Sequence, residues 1–175
     1  MTILTTLGTA VSVVAITLFV PNVAVPAYNF AIDEFKAEDY TRQRDCLALN
    51  IYHEAKGESE LGQRAVAYVT LNRTNDERYP DDVCEVVHQA QIGSDGQPKR
   101  NKCQFSWYCD GRSDEPTDQE AFAQAKFVAS VVINTYGYSF DPTLGATMYH
   151  AESVNPHWSS AFEQTTEIEN HIFYR

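Results

Sequence analysis

Cationic side chains are scarce in this 175-residue sequence. Lys and Arg number 13 against 24 Asp and Glu, and the formal net charge is -11. That deficit argues against a nucleic-acid partner, because no dense basic patch is on offer for phosphates. It also removes any net attraction to an anionic polymer, so a grip on one is expected to come from stacking and hydrogen bonds. A close Cys-x-x-Cys pair is absent, which argues against a zinc knuckle. His53-Glu54 opens like the H-E-x-x-H signature, but the fifth position is Gly57, so the zinc-protease reading fails on spacing. His88, His150, His157 and His171 are scattered and could converge on a metal only through the fold. No internal repeat is visible. Disorder is not the default either, since 43% of the residues are hydrophobic and 12% aromatic. The length suits one domain with a real core.

Charge of either sign is also missing from residues 2–32, with Asp33 the first charged side chain after the start. Residues 3–25 are largely apolar. Two readings stay open for residues 1–30. One is a signal peptide, with Val25-Pro26-Ala27 as the cleavage site. The other is a retained anchor, about long enough to span a bilayer. A buried core helix is the weaker alternative, because Pro21 and Pro26 would interrupt it. Either favoured reading implies export, with N-terminal membrane association in the second. Residues 31–44 read as a polar linker and residues 45–175 as the functional domain. Behind an export segment, Cys46, Cys84, Cys103 and Cys109 suggest two disulfides. Of the three connectivities, Cys84 with Cys103 would staple the polar stretch between them, leaving Cys46 with Cys109.

The domain reads as mainly α with a small β element. A first helix is expected from about residue 44 to Gly57, carrying Cys46, Leu47, Leu49 and Ile51. A second starts after Ser59, with Leu61, Ala65, Tyr68 and Val69 on one face. A short helix covers residues 82–89. Residues 91–102, rich in Gly, Ser, Asp, Gln and Pro, read as a loop. Thr117-Asp118-Gln119-Glu120 is a capping box for a long helix ending at Gly137. Short β-prone pieces follow in residues 144–175.

Glu54 is the strongest candidate for chemistry. It closes the first helix, where the helix dipole disfavours a carboxylate, and burial against aromatics would act the same way. The result is a general acid near neutral pH. The plain alternative is that Glu54 and Glu58 are solvated surface carboxylates. Gln104, Phe105, Ser106, Trp107 and Tyr108 set polar groups among aromatic rings, which suits sugar stacking and hydroxyl binding. Alternatively Phe105 and Trp107 are core, with the polar neighbours facing outward. Tyr149 and His150 form a second polar aromatic pair with the same ambiguity.

In order along the chain stand IYHEAKGES, GQRAVAYVTLNR, YPDDVCEVVHQ, CQFSWYCDG, GATMYHAESVNPHW and ENHIFY. Together they resemble the cell wall hydrolase family of the spore cortex-lytic enzyme SleB type, over about residues 45–174. The resemblance implies a lysozyme-like, lytic transglycosylase-like fold that cleaves peptidoglycan between N-acetylmuramic acid and N-acetylglucosamine without a cofactor. It places Glu54 as catalytic acid and Gln104, Phe105, Ser106, Trp107, Tyr149 and His150 along the glycan, with Glu58 the second carboxylate to consider. Lys56 stands where arginine is commoner. The short format is expected to suit remodelling of a Gram-negative envelope or endolysin-like phage lysis better than spore germination. The rival readings are a zinc amidase or peptidase using His150, His157 or His171, and a non-catalytic wall-binding module.

Overall fold

The computed structural model describes residues 27–175, with side chains from residue 36 onward. Most of the segment read as a signal or anchor therefore lies outside the described residues. Helix α1 spans Ala27–Ala55 and is longer than expected. Polar residues 36–43, expected to be a linker, are helical because tertiary contacts hold them. Arg42 pairs with Asp82, and the Gln43 side-chain oxygen accepts the Val83 N–H at 3.1 Å. The helix stops at Ala55, whose carbonyl accepts the Glu58 N–H. Lys56 and Gly57 form the turn.

Helix α2, Glu60–Thr74, is buried on two sides. Ala67, Tyr68 and Leu71 meet the helical core, while Ala65 and Val69 meet a sheet. A helix apolar on opposite faces belongs inside a domain. Helix α3, Val83–Val87, is capped by the Asp82 carboxylate on the Glu85 N–H. Helix α4, Gln119–Thr135, is capped by Asp118 rather than Thr117, with the Ala121 N–H donating at 3.0 Å. Gly137 turns the chain away beyond it at φ 81°. Leu47 and Ile51 of α1, Val86 and Val87 of α3, and Val128 and Val132 of α4 close around Tyr68.

Two small sheets complete this mixed α+β architecture. Residues 91–102 are not the expected loop. β1, Ala90–Ile92, pairs antiparallel with β2, Pro98–Cys103. The turn between them carries Asp95 and Gly96, a residue pair that favours a hairpin, with Gly96 at φ 77°. The tail forms β3 (Met148–Ala151), β4 (Gln164–Ile168) and β5 (His171–Tyr174). They pair antiparallel in the order β3-β5-β4. Ala146, Ile168 and Phe173 fasten this sheet to α2.

Two disulfides form, the number expected, but with different pairing. Cys46 joins Cys84, with Cα atoms 5.2 Å apart, and Cys103 joins Cys109 at 6.1 Å. The expected Cys84–Cys103 and Cys46–Cys109 pairs are therefore absent. Packing of α3 against α1 sets Cys84 beside Cys46. A tight 3-10 turn, Ser106–Cys109, folds Cys109 back onto the end of β2.

Candidate active site

Glu54 lies in the last turn of α1, half-buried beside β3. The Tyr149 hydroxyl donates to its Oε2 at 3.0 Å. Burial raises the Glu54 pKa above that of a free glutamate, while the Tyr149 hydrogen bond and the Arg73 charge oppose the rise. The Tyr149 hydroxyl is itself held far above the usual phenol value by burial and by the neighbouring carboxylate. It therefore stays a donor. The ring is fixed edge-on against His171 at 5.2 Å and tilted against Phe173.

Behind this pair is a residue that sequence reasoning missed. Arg73 is 5% exposed and closes the buried face of α2. Its guanidinium lies between the Tyr79 and Phe105 rings, 5.2 and 4.9 Å from their centroids. Its Nε donates to the Thr147 carbonyl at 2.7 Å. That bond holds the start of β3, two residues before Tyr149. Its Nη1 has no hydrogen-bond partner. Burial lowers the Arg73 pKa, opposed by its neighbours Tyr149, Tyr79 and Glu54. A signal was present in the sequence: Arg73 stands in helical phase with Ala65 and Val69 on an apolar stripe.

The other expected site residues divide. Phe105 is 2% exposed and forms the base under Arg73, so it does not line a surface. Trp107 is 7% exposed and is also core. Its indole N–H donates to the Asn50 side-chain oxygen at 3.0 Å, and Asn50 donates to Thr70. Trp107 also stacks on His53 at 4.5 Å, and the His53 Nε2–H donates to the Asp114 carbonyl. Gln104 and Ser106 are exposed on either side of Phe105. Burial thus alternates as the core reading of this motif expected, although a 3-10 turn rather than a strand produces it.

His150 does not join Glu54. Successive strand residues face opposite ways, so with Tyr149 on Glu54 the His150 ring turns to Tyr174 and Trp158. Its Nε2 is 3.0 Å from the Tyr174 hydroxyl. Glu58 is also turned away. It accepts from the Asn170 amide at 3.0 Å, at the β4–β5 turn. Next to it, the Glu169 carboxylate accepts the Ser59 N–H at 3.0 Å. That contact holds Glu169 at φ 51°. Gly62 is required here, since a Cβ on it would lie 2.8 Å from the Glu58 Cβ. Among the described residues, no three of His, Cys, Asp and Glu come together as a metal-ligand set. His150, His157 and His171 therefore do not assemble the site a zinc peptidase would need.

The comparisons with known proteins agree with this architecture. The cell wall hydrolase family matches residues 57–174, a span that opens just past Glu54. The spore cortex-lytic enzyme of Halalkalibacterium halodurans is 30% identical over 128 residues, which are 73% of this chain and 33% of that protein. The chain thus spans about a third of that relative's length. The catalytic domain of the germination-specific lytic transglycosylase SleB from Bacillus anthracis superposes with a TM-score of 0.56 at 29% identity. It covers 76% of this chain and 93% of its own. The catalytic domain of the Bacillus cereus SleB protein gives 0.57 at 29% identity, covering 77% and 91%. With two thirds of its length matched and its fold shared with those catalytic domains, the chain belongs to the cell wall hydrolase family.

Proposed function

We propose that this chain cleaves peptidoglycan glycan strands between N-acetylmuramic acid and N-acetylglucosamine as a lytic transglycosylase, with Glu54 as its one catalytic carboxyl. The observation that carries this reading is the isolation of Glu54: it is half-buried and held by Tyr149, while Glu58 is engaged at the β4–β5 turn. A hydrolysing glycosidase usually works with two carboxyl groups. A lytic transglycosylase works with one. Glu54 gives its proton to the glycosidic oxygen as the bond to the anomeric carbon breaks. The resulting carboxylate takes the proton from the muramic acid 6-hydroxyl. The 6-oxygen then bonds to the anomeric carbon and closes a 1,6-anhydro ring. No water is consumed, and Glu54 ends protonated. Burial favours the acid form at the start, and Tyr149 and Arg73 stabilise the carboxylate in between. The likeness to two SleB catalytic domains, one of them from a germination-specific lytic transglycosylase, supports the same chemistry.

Such a substrate requires export, and the uncharged, largely apolar residues 2–32 support it, as a cleaved signal or a retained anchor. A reporter active only outside the cytoplasm, fused after residue 28, should be active; a silent fusion would contradict export. The acid assignment is tested on purified sacculi. Glu54→Gln keeps shape and hydrogen bonding but has no proton to give, so turnover should fall by about 10²–10⁴-fold. Glu58→Gln should be much milder. Equal losses would mean a two-carboxylate site.

A further inference from the structure

The β1–β2 hairpin carries a charge balance opposite to that of the whole protein. Its residues 90–103 hold three cations, Lys99, Arg100 and Lys102, against the single anion Asp95. The full chain is at -11. In a sequence with surplus carboxylates, a cation left unpaired is informative. Among the described residues, every arginine but Arg100 contacts a carboxylate or lies over an aromatic ring. Arg100 instead lies across Gly111. Lys99 and Lys102 are likewise in no ion pair or cation–π contact among the described residues, whereas Lys56 and Lys126 sit over rings.

Lys102 lines a polar groove of about 420 Å³ together with Gln89, Gln91, Asn101 and Gln104, and Lys99 and Arg100 precede it on β2. The Gln89 side-chain oxygen finds no donor in the protein. An acceptor left so costs stability, and the soft terminal torsion of glutamine can turn it into the groove. The walls are fixed. The Cys103–Cys109 disulfide pins the foot of β2, the Gln104 N–H donates to the Gln89 carbonyl at 2.9 Å, and Asn101 is held at φ 57°. Gln104 precedes Phe105, the base under Arg73, so the groove opens one residue from the floor behind Glu54.

We propose that this groove binds the acidic peptide stem that branches from the glycan strand. Amides lining the walls suit a peptide backbone, which both donates and accepts. The Lys102 ammonium in the lining, with Lys99 and Arg100 on the same strand, suits its free carboxylates. A neutral sugar has no use for the cations, and three of them in one hairpin are too few for a nucleic acid. The inference rests on peptidoglycan being the substrate, and it amends the expectation that stacking and hydrogen bonds alone grip the wall.

The test uses the full chain carrying Glu54→Gln, so that binding is read without cleavage. The probes are soluble glycan chains labelled at one end. One set keeps its stems after endopeptidase treatment, and the other has lost them to an amidase and had the lactyl carboxylates this leaves converted to neutral amides. Stem-bearing chains should bind about tenfold tighter at low salt, the sum of a few exposed charge contacts. That preference should vanish in Lys99→Ser/Arg100→Ser/Lys102→Ser, and also at high salt with the hairpin unchanged. The salt arm decides the matter if the triple variant fails to fold. Equal binding of both chains, or a preference that survives both neutralisation and salt, would overturn the proposal. Turnover by the protein with Glu54 intact is scored separately. Failure there would remove the transglycosylase reading while leaving the binding result standing.

Discussion

At the residue scale, Glu54 is kept in a setting that costs stability. Burial holds its folded pKa above the value of about 4.3 for a free glutamate. The sign follows from linkage. Below the unfolded pKa the carboxyl is neutral in both states and nothing is lost. As pH rises through the folded pKa, ionisation favours the unfolded chain, so the folded state loses stability. Glu54→Gln removes that loss. The variant should melt above the native protein at pH 7 and converge with it near pH 4. A variant that melts lower at pH 7 would show that the carboxylate is well solvated. Glu54 could be singled out in the sequence because its motif is local. Arg73 shows there only as a cation on an apolar helical stripe, because its worth depends on Tyr79, Phe105 and Thr147, which only the fold brings to it. Phe105 and Trp107 were ambiguous for a related reason, since an aromatic beside polar residues reads alike on a binding surface and in a core.

At the scale of elements, legibility followed periodicity. Helices α2 and α4 announced themselves through apolar residues at helical spacing, and α4 also through its cap. The β1–β2 hairpin did not, because β2 is Pro-Lys-Arg-Asn-Lys-Cys and has no apolar alternation to detect. Its one signal was Asp95-Gly96 at the turn. The start of the α1 core region was hidden as well, since the contacts from Arg42 and Gln43 to α3 cross forty positions of sequence. Disulfide pairing failed on the same ground: four cysteines permit three pairings, and packing chooses. Peptide mapping without reduction should recover Cys46–Cys84 and Cys103–Cys109. The first closes 38 residues and the second only 6. Replacing Cys46 and Cys84 by Ser should therefore cost roughly 4 kcal/mol and replacing Cys103 and Cys109 roughly 2 kcal/mol, on loop-closure entropy. The reverse order would mean that the short staple holds more than its own turn.

At the scale of the molecule, two layers meet at one point. The helical layer supplies Glu54 from the end of α1 and Arg73 from α2. The sheet layer supplies Tyr149 from β3, fastened to α2 through Ala146, Ile168 and Phe173. The family was legible from the order of several separate motifs along the chain. What the order of motifs does not give is the reaction outcome, which turns on whether a second carboxyl faces the same bond. The most direct measurement is mass spectrometry of the muropeptides released from purified sacculi. Ends one water lighter than a hydrolysed product, the 1,6-anhydro form, are expected. Exclusively reducing N-acetylmuramic acid ends would contradict single-carboxyl chemistry at Glu54.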